Sequence, residues 1–207
     1  MRKKLVTVFT LVLFSIAGAG IQSASAAPIF LFPVESKCVV TYTQGHHDYP
    51  ANDIVLKNRK AKCNFLSPVD GVIDEVSRDD VWKKPPNRGI DRGGLFVSII
   101  SADGVRYYGS HLLKGSIPAN IQPGVAVTQG TILGLVGATG SARGTAPHLH
   151  FGISWPTPTQ ANVWWVRRGA LKPYEYLKAW QAGKDLNPLE KLKKVKYFGT
   201  IPAEPKN

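Results

Sequence analysis

The sequence predicts a mainly β protein, a compact antiparallel sheet or sandwich with one C-terminal helix. Three observations lead there. Short runs alternate apolar and polar residues at period two. Gly, Pro, Asp and Asn interrupt those runs at short intervals. Helical spacing of apolar residues appears only after Pro158.

The chain opens on "MRKKLVTVFTLVLFSIAGAG", with Arg2, Lys3 and Lys4 ahead of an apolar run from Leu5 to Ala19. The small-x-small pattern Ala24-Ser25-Ala26 follows, so residues 1–26 read as a secretory signal peptide cut before Ala27. The alternative is an uncleaved anchor, but the run falls short of the ~20 residues a span needs. No other segment could cross a bilayer. After a lead at residues 27–36, a β core is expected over residues 37–158. "KCVVTYT" alternates weakly, and "SPVDGVIDEVS" turns at Asp70-Gly71 before alternating. "GGLFVSIISADGVRYYGSHL" is two strands about the turn Ala102-Asp103-Gly104. "GVAVTQGTILGLVG" is another strand-turn-strand, and "PHLHFGISW" is the last strong strand.

The stretch Asp80 to Gly94 holds too many Pro, Gly and charged residues for a strand and reads as a surface loop rimming a site. "GATGSARGTAP" lacks the Lys-Ser/Thr ending of a phosphate loop and reads as a groove edge. Over residues 159–185, Leu171, Tyr174, Leu177 and Trp180 fall at helical spacing, with Pro173 at a first turn. Residues 186–207 form a Lys-rich tail.

The whole chain carries +12; without Arg2, Lys3 and Lys4, 23 Lys and Arg stand against 14 Asp and Glu, a net +9. A basic exported protein is drawn to anionic surfaces such as cell-wall polymers or lipid headgroups. Nucleic acid is disfavoured, because no finger, helix-turn-helix or stacking motif is present. The two cysteines, Cys38 and Cys63, are expected to pair in an oxidising compartment and to contribute roughly 3 kcal/mol.

All five histidines, His46, His47, His111, His148 and His150, lie in stretches rich in other site-like residues. On a strand, His148 and His150 share one face while Leu149 faces the other. A lone His is usually structural; several on separate strands beside Asp53 point to a metal site. Catalytic zinc takes three His or carboxylate ligands and leaves a position open. Amide hydrolysis then needs a proton acceptor and an oxyanion donor as well.

"HHDYPAND", "SPVDGVID", "YYGSHL", "GATGSARGTAPHLHFGISWP" and "WWVRRG" resemble the lysostaphin/LytM-like zinc metalloendopeptidases, narrowly a secreted branch with an "HHDYPAxDI" first motif. The resemblance runs from about Lys37 to Trp180. It implies a duplicated-hybrid-motif-like β fold with a catalytic groove, one Zn²⁺ per chain, and cleavage of peptidoglycan stems or cross-links. By position it makes His150 a ligand, His148 the general base, and His111 a group that stabilises the tetrahedral intermediate or orients water. The first motif departs from the family's His-x-x-x-Asp spacing through the inserted Tyr49-Pro50. Asp53 is the firm ligand; His47, nearer in sequence, is expected over His46. Tyr49 and Tyr108 are candidate groove residues, with Tyr107 a further one. Asp48, Asp70 and Asp91 are weaker candidates to orient a histidine, Asp70 being more simply a turn residue.

A monomer is expected, with peptidoglycan as partner and no membrane span after cleavage. Two competing readings are a non-catalytic wall-binding or hydrolase-activating relative, and a lipoyl-like carrier. The full histidine set opposes the first. The second lacks a modifiable Lys at a hairpin tip.

Overall fold

The computed structural model describes residues 29–158 and 163–204, and the expected leader lies outside them. Among the described residues, nine strands form two antiparallel sheets. They are β1 (Val40–Thr41), β2 (Asn52–Leu56), β3 (Asn64–Leu66), β4 (Gly71–Ser77), β5 (Phe96–Ile100), β6 (Arg106–Ser110), β7 (Ala126–Val127), β8 (Ile132–Leu135) and β9 (His148–Ser154). The larger sheet runs β1-β2-β9-β6-β5-β4-β7, and β3 pairs with β8 in the smaller. Three helices follow: α1 (Trp164–Arg168), α2 (Tyr174–Gln181) and α3 (Leu189–Leu192).

Register gives the main sheet two unlike faces. Ile54, Leu149, Phe151, Ile153, Tyr107, Val97 and Ile99 share one face and are all buried. The small sheet covers that face. Phe65 on β3 lies so close to β6 that a Cβ at Gly109 would meet its ring at 2.5 Å, so the layer spacing requires glycine there. Trp180 on α2 stacks on Phe30 at 5.3 Å and meets Tyr107 and Phe151 edge-on.

The opposite face is polar yet largely buried. Arg106, fully enclosed, donates to Asp74 at 2.6 Å, to Glu75 and Ser98 at 2.8 Å each, and to the carbonyl of Arg167. Arg167 pairs with Glu75 at 2.7 Å. These bonds seat α1 on the sheet, where its backbone packs so tightly on Gly152 that a Cβ would strike the Arg168 carbonyl. Unpaired, such buried charges would each cost several kcal/mol.

The β5–β6 hairpin, the strand at "PHLHF", the rim loop and the helix after Pro173 stand where expected. The strand-turn-strand near Gly130 divides: β7 joins β4 in the large sheet, and β8 joins β3 in the small one. Strands β2 and β3 and helices α1 and α3 were not foreseen, so among the described residues three short helices stand where one was expected, α3 within the Lys-rich tail. The lead is part of the core, with Phe30, Phe32 and Val34 buried. Cys38 and Cys63 form a disulfide, closing a separation of 25 residues. No helix among the described residues is long and apolar enough to cross a membrane.

Candidate metal centre

Antiparallel pairing of β2 with β9 sets Asp53 directly opposite His150, and Val55 opposite His148. Both histidines therefore face the polar side, while Leu149 is locked in the core. Asp53 Oδ1 lies 2.9 Å from His150 Nδ1. The loop before β2 brings His46 edge-on to His150, with ring centroids 4.8 Å apart. Donor atoms of His46, Asp53 and His150 all lie within 4.8 Å of one another.

This set suits zinc. Two ligands about 2.0–2.1 Å from a tetrahedral ion sit about 3.3 Å apart. The Asp53–His150 pair is only slightly closer than that, and the third donor has limited distance to travel. The donors are two imidazoles and one carboxylate, a borderline set matched to Zn²⁺.

His47, the nearer histidine in sequence, is not gathered with Asp53 and His150. Its side chain is 82% exposed and pairs with Asp48 at 3.2 Å, while its ring stacks on His46. The inserted Tyr49 is the physical cause. Its ring packs against His46, His150 and Trp164, so the loop turns His46 inward and leaves His47 outside. A second grouping, His46 with His47 and Asp48, shares His46 and is mostly exposed.

The electrostatics fit a cation site. Burial pushes the Asp53 carboxyl up. The hydrogen bond from His150 and the charges of His150, His148 and His46 outweigh it, leaving the group well below the usual carboxylate range. Burial, then His150, lower His46 to about 4, so its ring is neutral and its lone pair available. With Nδ1–H of His150 directed at Asp53, its Nε2 accepts from the Tyr49 hydroxyl at 3.2 Å. Burial raises the Tyr49 phenol far above neutrality, which keeps that hydroxyl protonated.

The other two imidazoles stand beside this cluster. His148 Nδ1 donates to the Ala146 carbonyl at 2.9 Å, and His111 Nδ1 to the Thr139 carbonyl at 2.8 Å. Each ring is thus fixed with its proton on Nδ1 and a bare Nε2. Their centroids are 4.9 Å apart, and His111 is 6.0 Å from His150. His111 follows β6 at φ +65°, a left-handed conformation uncommon outside glycine, held by bonds to Gly93 and Thr139. Burial, with His148 and His150 nearby, holds the His111 ring well below the usual imidazole range.

A groove of about 440 Å³ runs past these residues, bounded by His46, Tyr49, Asn87, Arg92, Ser110, His111, Ser141, His150 and Arg168. Tyr49 is in its wall. Tyr108 lies beneath it, 2% exposed, its hydroxyl so near Gly93 that a Cβ there would collide. Tyr107 faces the core. The rim loop and the 139–145 loop are latched by Asp80, which accepts from Gly140 N at 3.0 Å and from Arg143 at 2.8 and 2.9 Å. Asp48 is at the groove, whereas Asp70 accepts a long-range hydrogen bond from Gln129 N at 2.7 Å and Asp91 pairs with Arg88. Arg92, Arg168 and Ser110 are groove residues that the sequence did not single out. Arg92 sat inside the expected rim loop, the one signal that could have found it.

No protein-family model and no curated protein matches the chain. Solved structures do. A chain from Ruminococcus gnavus assigned as a glycyl-glycine endopeptidase, LytM, aligns at 20% identity and TM-score 0.54, over 76% of this chain and 62% of that one. The antimicrobial peptidase lysostaphin from Staphylococcus simulans aligns at 22% identity and TM-score 0.52, over 80% and 59%. This chain thus spans about three fifths of each. The fold is lysostaphin/LytM-like.

Proposed function

We propose that this chain is a secreted zinc metalloendopeptidase that hydrolyses amide bonds in peptidoglycan stems or cross-links. The observation that carries this reading is the convergence of His46, Asp53 and His150 with two further imidazoles at the wall of an open groove. Those three residues would hold one ion per chain, and Zn²⁺ bound there supplies Lewis acidity toward water and the scissile carbonyl.

The chain's own groups supply the rest. His148, with its proton on Nδ1, takes the proton of the attacking water at Nε2 and returns it to the leaving amine. His111 is neutral, and its bare Nε2 accepts the water's other hydrogen, so it orients water rather than donating to an oxyanion. Donation falls to Tyr49. Were His150 to hold the ion through Nδ1, its ring proton would sit on Nε2 and could donate to the Tyr49 oxygen, which would free the phenolic O–H for the groove.

Export rests on residues 1–26 and is checked by sequencing the N-terminus of the released protein. The activity is tested on purified peptidoglycan by counting new free amino groups. Zinc-loaded protein should release them, a chelator should stop it, and added zinc should restore it. Wall binding without amine release would instead favour the non-catalytic, hydrolase-activating role.

A further inference from the structure

Arg168 is 4% exposed and borders the groove. Its Nη1 and Nη2 donate to the carbonyls of Gly89 and Ile90 at 2.7 Å each, and its guanidinium lies over the Trp164 ring. Among the described residues it has hydrogen-bond acceptors but no carboxylate in an ion pair. Buried charges are ordinarily matched by an opposite charge, because a neutral carbonyl only partly offsets the lost hydration.

Arg92 is on the same wall, one residue before Gly93, and Arg168 Nη2 comes within 3.1 Å of where a Gly93 Cβ would be. The Arg92 side chain is 19% exposed, bonds Asn87 at 3.2 Å, and reaches Asp48 only at 3.8 Å. Asp48 is itself shared with His47. Arg92 thus has only one loosely held carboxylate in reach, and the Arg168 guanidinium is buried on the same groove wall. Ser110, 1% exposed, adds a hydroxyl with no partner on the groove floor.

We infer that the groove wall at Arg92 and Arg168 is a carboxylate subsite, and that the preferred substrate is a peptide with a free carboxylate close to the cleaved amide. A stem-type peptide meets that description and an uncharged glycine bridge does not. Arg92 is the group that reaches the carboxylate; Arg168 supplies the second positive charge from beneath. The inference deepens the peptidase reading and rests on it for the identity of the ligand.

The test is calorimetric binding to the full mature zinc-loaded protein. The ligands are an acetylated stem-type peptide ending in a free D-alanine carboxylate and its C-terminal amide, both N-methylated at the cleavable amides. The acid should bind roughly tenfold more tightly than the amide, as a charge-assisted bidentate contact would give. Salt should shrink the difference. Arg92→Gln should abolish it and Arg92→Lys should restore part of it. Equal binding of acid and amide, no binding of either, or a preference that survives Arg92→Gln would each overturn the subsite. The last result would place the carboxylate on the ion. Unmethylated peptides then report separately: an acid preference without hydrolysis would sink the peptidase reading and leave the subsite standing.

Discussion

Asp53 and His150 are cross-strand neighbours, directly opposed in the β2–β9 ladder with Oδ1 and Nδ1 2.9 Å apart. Strand pairing therefore preassembles two of the three candidate metal donors, and only His46 comes from a loop. A site built on strands holds its geometry better than one built on loops.

Zinc content should separate the two adjacent histidines. His46→Ala should lose the metal, as should Asp53→Ala and His150→Ala, whereas His47→Ala should retain about one zinc per chain. Elemental analysis of freshly purified variants decides it. Loss in His47→Ala with retention in His46→Ala would reverse the assignment.

His148→Ala and His111→Ala should keep the metal yet lose hydrolysis. General-base removal typically costs about 10²–10⁴-fold. His148→Ala should fall in that range and His111→Ala less far. Metal loss in either variant would place that ring among the ligands.

The pH dependence of the metal-free protein has a fixed sign. His46 and His111 have folded-state values below the unfolded imidazole value, so between about pH 4 and 6.5 the unfolded chain binds more protons. The stability these groups contribute is full above about pH 6.5 and declines on acidification. Thermal midpoints of the metal-free protein should fall from pH 7 to pH 5, and fall less in His111→Ala. A flat or rising profile would contradict the burial of these rings.

Arg106 should matter for stability more than any exposed charge. Arg106→Ala removes the partner of Asp74, Glu75 and Ser98 together and frees the Arg167 carbonyl. Breaking a buried ion pair costs about 3–5 kcal/mol. Urea unfolding measures that loss. Because the network seats α1, and α1 carries Arg168, the variant should also weaken binding at the groove.

Much was legible before any coordinates. Period two marked β5, β6 and β9, and it placed His148 and His150 on one face with Leu149 behind them, because alternation is a local property of the backbone. The disulfide followed from a single pair of cysteines and an expected exported location. Strand β2 stayed hidden because it opens on Asn52 and Asp53, residue types depleted in strands, and directly follows a His-rich loop. Helix α1, also five residues, carries buried arginines that give no amphipathic signature.

The sequence by itself determined the β class, and it marked the five histidines and Asp53 as candidate site residues. Tertiary structure decided which of two adjacent histidines faces Asp53, because Tyr49 packs on His46 and His150 from across the fold. It also decided that Arg168, 76 residues beyond Arg92 in the chain (168 − 92), shares a groove wall with it. Both outcomes depend on contacts between segments far apart in sequence, which local spacing does not encode.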